Sequence, residues 1–234
     1  MLPDLSIALC LRDDERRLAD IARSAVEVAE ALTREYAAGE WTDSTRVEAT
    51  TEPELTPDPD DSPDPAEIPG AGPLPGVLDY ELLALDESSR DNTLSVLSIL
   101  HARLPQLRTV QGLPAGTAVM RAARTANGRV WLLVDAPFDP EHGLWAARQV
   151  FCGDAAAMVP GEVLAVHRNL GQAALGWLNG GLVSAQHEVE RLLAAHDQRA
   201  AWSPPRDRAL RERARLFVRG RLSRLGLGQF DRRG

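Results

Sequence analysis

The chain has 234 residues, 44% of them hydrophobic and 26% charged, with a formal net charge of -8. That is enough for one sizeable core plus appendages, or for two small domains, and no apolar run is long enough to cross a membrane as a helix. All 26 cations are arginine, which excludes lysine Schiff-base, P-loop and lysine-base chemistry, and two cysteines, Cys10 and Cys152, make no disulfide framework.

Charge is unevenly divided. Residues 41–76 hold nine acidic groups, one arginine and eight prolines, whereas residues 199–234 hold eleven arginines and three acids. Either segment is suited to a partner of opposite charge, or to the other segment.

In chain order, LSIALCLR (5–12) reads either as a short strand or as the lead-in to a helix. Its charges follow the apolar run instead of preceding it, which is wrong for a signal peptide, so a cytoplasmic location is expected. Residues 13–38 then carry Leu18, Ile21, Ala22, Ala25, Ala29, Leu32 and Tyr36 at helical spacing, with Asp13 and Asp14 placed to cap the helix and Gly39 to end it. The proline-rich, acidic stretch 41–76 has almost nothing to bury and is expected to be a disordered linker.

VLDYELLALD (77–86) predicts a strand and 88–104 a helix stopped by Pro105. TAVMRAAR (117–124) and RVWLLVD (129–135) flank Asn127-Gly128, a strong turn signal, and are read as a β-hairpin. Residues 144–152, 162–179 and 182–197 are read as helices, the last two an antiparallel pair. Residues 206–225 fit an amphipathic helix whose polar side is crowded with arginine. These elements predict an α+β fold, mostly helical, with a small antiparallel sheet built on the 117–135 hairpin. Amphipathic helices flank it at both ends. The expected units are 1–40 packing on the core, the 41–76 linker, a 77–198 core domain, and a 199–234 arginine-rich tail.

The terminal helix carries the strongest functional signal. Arg211, Arg215, Arg219 and Arg224 suit phosphate or carboxylate contacts, and Trp202 is placed to anchor the segment. A second region, 135–154, gathers chemically able side chains. Cys152, His167 and Asp135 are candidates for nucleophile, base and strand-end carboxylate, and Asp139, Glu141 and His142 for a metal. Neither set has the spacing of a specific motif, and Asp is common in loops because it stabilises turns. Trp131, Trp145 and Trp177 sit in apolar stretches and are expected in the core. No cofactor is implied.

The reading that follows is a non-catalytic binding or assembly module that engages a protein partner or self-associates. Two alternatives stand beside it. One is a nucleic-acid-binding protein modulated by its acidic linker. The other is a small hydrolase or metal-dependent enzyme using 135–154. Contact with a membrane surface is the least favoured use of the arginine helix.

Overall fold

Among the described residues, seven strands form one sheet, with six helices on its two faces. The computed structural model describes residues 2–39, 78–135 and 137–203. The predicted linker and the arginine-rich helix, with Arg211, Arg215, Arg219 and Arg224, lie outside the described residues.

In chain order the elements are β1 (Leu5–Leu11), α1 (Leu18–Ala38), β2 (Tyr80–Asp86), α2 (Thr93–Arg103), β3 (Leu107–Val110), α3 (Ala118–Thr125), β4 (Val130–Val134), α4 (Pro140–Phe151), β5 (Ala156–Val159), β6 (Val163–His167), α5 (Arg168–Leu175), α6 (Leu182–Ala195) and β7 (Ala201–Trp202). The strand order is β3-β2-β1-β4-β6-β5-β7. β3, β2, β1 and β4 run parallel; β6 runs against both β4 and β5, and β7 is parallel to β5.

The inner strands LSIALCL, YELLALD and VWLLV are buried almost throughout. A strand covered on both faces has no polar side to alternate with, so it reads as a continuous apolar run. Alternation instead sorts its side chains between two cores. Leu5, Ile7, Leu9 and Leu11 join α1, α2 and α4 on one face. Ala8 and Cys10 join α3 and α6 on the other, together with Ala174 and Leu175 of α5. The chain winds outward from β1 to β2 to β3 with its helices on the first face. It then returns past β1 to β4 through α3 on the second face, as a right-handed crossover in the reverse direction requires.

This architecture corrects the expectation of a mostly helical α+β fold with a small antiparallel sheet. The 117–135 hairpin does not form. TAVMRAAR is α3, because Ala118, Val119, Ala122 and Ala123 fall on one helical face, and all four are buried. Residues 129–135 do become a strand, but its partners are β1 and β6. Residues 162–179 split into β6 and α5, and 107–110 and 156–159 are strands with no separate prediction. The helices predicted at 13–38, 88–104, 144–152 and 182–197 are present with shifted ends. Trp131 is buried and Trp145 packs on the core, but Trp177 is 87% exposed.

Asn127-Gly128 serves a different purpose from a hairpin turn. The Gly128 N–H donates to Ser6 Oγ at 2.7 Å, and Ser6 Oγ donates to Glu81 Oε1 at 2.7 Å. The Asn127 N–H reaches the same Glu81 oxygen at 2.7 Å, and Arg108 holds Oε2 at 2.7 Å. This buried network ties the return connection to β1, β2 and β3 at the N-terminal edge of the sheet. Trp131 closes the edge. Its indole N–H donates to the Gly128 carbonyl, and α5 packs so tightly on its ring that a Cβ at Gly171 would lie 2.6 Å from it.

Burial pushes the Glu81 carboxyl up, but hydrogen bonds from Asn127, Ser6 and Arg108 outweigh it and hold the group below its ordinary value. A depressed folded pKa adds stability above the unfolded value of about 4.3. That stability is lost as pH falls through the lower folded value. Glu81→Gln is therefore expected to cost about 1–3 kcal/mol at neutral pH. It should also flatten the acid limb of a melting-temperature profile, which calorimetry from about pH 3 to about pH 7, on both sides of that value, measures.

Candidate functional site

Strand order reverses between β1 and β4. In open α/β sheets the crevice outside the carboxyl ends of the strands at such a point is where ligands bind. Leu11, Asp86 and Val134 end β1, β2 and β4 there, so the residues that follow them build the site.

The loops after β1 and β2 are fastened to each other. Backbone N–H groups meet side chains across the gap: Asp13 to Ser89 Oγ at 2.9 Å, Asp14 to Thr93 Oγ1 at 2.9 Å, Glu15 to Asp91 Oδ2 at 3.0 Å and Arg90 to Asp13 Oδ1 at 2.7 Å. Buried Asp14 also accepts from Arg17 and from the Arg12 N–H. Fully buried Asp86 accepts the Ser89 N–H on both oxygens at 3.3 Å. Asp13 and Ser88 hold positive φ angles of 50° and 53°, so both loops turn sharply just past their strands. These short polar residues build a stiff rim and take the place of a packed hydrophobic loop.

On the second face, Asp135, Glu87 and Cys10 converge. The parallel register sets Leu9 beside Val134 and Leu11 beside Asp86, so β4 ends two residues short of β1 and β2 and Asp135 follows it beside the last residues of β1, toward Cys10. Burial pushes the Cys10 thiol well above its ordinary value, and the carboxylates of Asp135 and then Glu87 raise it further. Glu87 Oε1 accepts the Ala118 N–H at the start of α3. Asp135 Oδ2 lies 3.5 Å from where a Cβ on Gly181 would stand, at the start of α6. Gly180 donates to the Gly116 carbonyl, joining the two loops that border this side of the crevice.

Beside the crevice, the connection after β4 is held from below. Glu162, 2% exposed, accepts the Asp139 N–H at 2.7 Å and lies 3.1 Å from His142 Nδ1. Glu162 thereby holds Asp139, four residues beyond Asp135.

The sequence candidates are scattered over this frame. Asp135 lies in the crevice. Cys152 caps the far end of α4, and His167 ends β6 opposite Val130, so both sit toward the other edge of the sheet. Asp139 is the N-cap of α4 and accepts the Glu141 N–H, Glu141 is exposed, and His142 faces Glu162. Among the described residues no three His, Cys, Asp or Glu side chains gather as a metal cluster. Trp202, 41% exposed, edges a shallow groove with His187 and Arg191, far in the strand order from the crevice. Arg12, Asp86 and Glu87 carry no weight in the sequence reading. The signal that marks them is their place immediately at or after two buried apolar runs, which becomes informative only once those runs are known to be parallel neighbours.

No family model and no curated protein matches the chain. Solved structures do. The mannosyltransferase PcManGT from Pyrobaculum calidifontis, solved with GDP-Man and Mn2+, aligns with 100% of this chain at 12% identity and a TM-score of 0.58. The chain spans 66% of that protein's length. S. aureus TarS 1–349 aligns with 88% of the chain at 11% identity and a TM-score of 0.48, with 59% of TarS covered. The likeness to the mannosyltransferase is one of fold. It runs against the expectation of a non-catalytic binding or assembly module and against the protein-binding and DNA-binding readings, since the solved protein that shares the fold is itself a mannosyltransferase.

Proposed function

We propose that this chain is an enzyme that binds a nucleotide-activated sugar in the crevice between β1 and β4 and transfers the sugar to an acceptor hydroxyl. The observation that carries this reading is Asp135, which the fold delivers to the carboxyl end of β4 at the point of strand reversal. The fold shared with a mannosyltransferase that binds GDP-Man supports it.

In such a transfer the acceptor oxygen forms a bond to the anomeric carbon while the bond from that carbon to the phosphate oxygen breaks. The nucleoside diphosphate departs with the electron pair, and the hydroxyl proton passes to a base. The stiff rim formed by residues 12–15 and 87–92 fixes one wall of the donor site, so little ordering is needed on binding. The Glu162 contacts hold Asp139 and His142, where α4 begins after the β4 exit.

The neighbour binds Mn2+. A hard cation of this kind is commonly held by one or two carboxylates and the substrate's own phosphates. Asp135 and Glu87, the carboxylates whose charge reaches Cys10, are oxygen donors of the kind such a cation takes and are the residues that would hold it. When bound, the ion neutralises charge on the leaving diphosphate.

The test is calorimetric titration of GDP and UDP, with MnCl2, into the full chain, followed by assay of diphosphate release from the matching sugar nucleotides. Binding with sugar-nucleotide turnover is the expected result. Absence of binding by both nucleotides up to about millimolar concentration, beyond the usual KM range, overturns the reading.

A further inference from the structure

We propose that Arg12 grips the diphosphate of the donor, a contact that rests on the reading of the crevice as a nucleotide site. Arg12 follows Leu11, the last residue of β1, and Glu87 follows Leu11's register partner Asp86, with the Glu87 N–H donating to the Leu11 carbonyl at 2.9 Å. Arg12 therefore stands at the carboxyl end of β1, at the mouth of the crevice whose carboxylates Asp135 and Glu87 act on Cys10 two positions earlier.

The charge around Arg12 is the argument. It is half-buried, yet among the described residues its guanidinium makes no hydrogen bond or ion pair. The other half-buried arginines are engaged: Arg129 with Asp4, Arg148 with Glu35 and Arg168 with the Asn127 carbonyl. Acceptors are plentiful near Arg12, but each is committed elsewhere. Glu87 turns to the Ala118 N–H, Asp13 to the Arg90 N–H, and Asp86 to the Ser89 N–H. Asp14 holds Arg17 and takes only the backbone N–H of Arg12.

A partly desolvated cation left open in this way is matched by an anion from outside. The planar fork suits two phosphate oxygens at once, which an ammonium group does not. The same crevice carries Glu87 and Asp135, which repel a diphosphate. Arg12 offsets that repulsion at the point where the donor enters.

The experiment titrates GDP, UDP, guanosine, uridine and inorganic pyrophosphate into the full-length wild type, Arg12→Lys and Arg12→Ala, with and without MnCl2. Circular dichroism and melting curves establish that each variant is folded. Arg12→Ala is expected to weaken the nucleoside diphosphates and pyrophosphate at least about tenfold. Arg12→Lys should lie between, and nucleoside affinity should stay within about twofold, since the charged contact is to phosphate alone. The salt dependence of diphosphate binding should also become shallower in Arg12→Ala.

Two outcomes overturn the proposal: unchanged diphosphate binding in Arg12→Ala, or a parallel loss for nucleosides, which marks a contact to the base. If the wild type binds none of the nucleotides, the nucleotide-site reading itself fails. That result is distinct from a wild type that binds nucleotides but does not depend on Arg12.

Discussion

Gly128→Ala is expected to destabilise the fold by at least about 3 kcal/mol. For a domain of this size that lowers the melting temperature by roughly 6 to 12 °C or more. A Cβ at this position would stand 2.5 Å from the Ser6 nitrogen and 2.7 Å from the Leu5 carbonyl carbon. Those are backbone atoms of a fully buried strand, so no side-chain rotation relieves the collision. The displaced chain also breaks the 2.7 Å bond from the Gly128 N–H to Ser6, and through Ser6 disturbs Glu81. Gly39→Ala provides the contrast. It ends α1 at a φ of 69° with open space around it, so its cost is conformational alone, about 1 kcal/mol. Melting curves of the two variants separate close approach from backbone freedom. Equal shifts would mean that the return connection does not lie against β1.

This glycine explains how the sequence reading went wrong on the fold. Asn-Gly between two apolar stretches is a hairpin signal because it permits the tight positive-φ turn. Here the glycine is used for the room it leaves. The two uses look identical in a sequence, and only knowledge of which strand lies beneath distinguishes them. The neighbouring TAVMRAAR contains its helical face in Ala118, Val119, Ala122 and Ala123, but eight residues give too few turns to outweigh the turn signal. Long elements were legible. α1 was read from its apolar stripe and its terminal Gly39, and α6 was read nearly in full. Short, doubly buried strands were not: VLAVH has the same apolar spacing as a helical segment over five residues and was absorbed into one.

In the proposed crevice site, Asp135 is legible in the sequence because it follows an apolar run, a feature that survives translation into structure. Arg12 and Glu87 are not legible there, because their neighbourhood comes from chain segments far apart in sequence that parallel pairing sets side by side. Asp139 and His142 attracted attention as metal donors through their spacing alone. The structure gives them local work instead: Asp139 caps α4 and His142 faces the buried Glu162. Turn and cap chemistry uses the same residue types as metal chemistry, so composition cannot separate the two.

Asp135→Asn is expected to lower donor turnover roughly 10²- to 10³-fold, the range for losing a preorganised electrostatic group. It should also weaken nucleotide binding more in the presence of MnCl2 than in its absence, with the cooperative melt retained. A second readout is independent of turnover. Cys10 is raised by burial, then by the negative charges of Asp135 and Glu87. Removing the Asp135 charge favours the thiolate, so the Cys10 pKa should fall while burial and Glu87 keep it above the ordinary thiol value. The pH profile of Cys10 alkylation, measured in a Cys152→Ser background because Cys152 is exposed, follows that shift. Turnover and the thiol profile moving together place the working carboxylate directly over β1. A fall in turnover with no change at Cys10 separates the catalytic role of Asp135 from the geometry assigned to it. A shift at Cys10 with turnover intact leaves the geometry standing and moves the chemistry to another group on the rim.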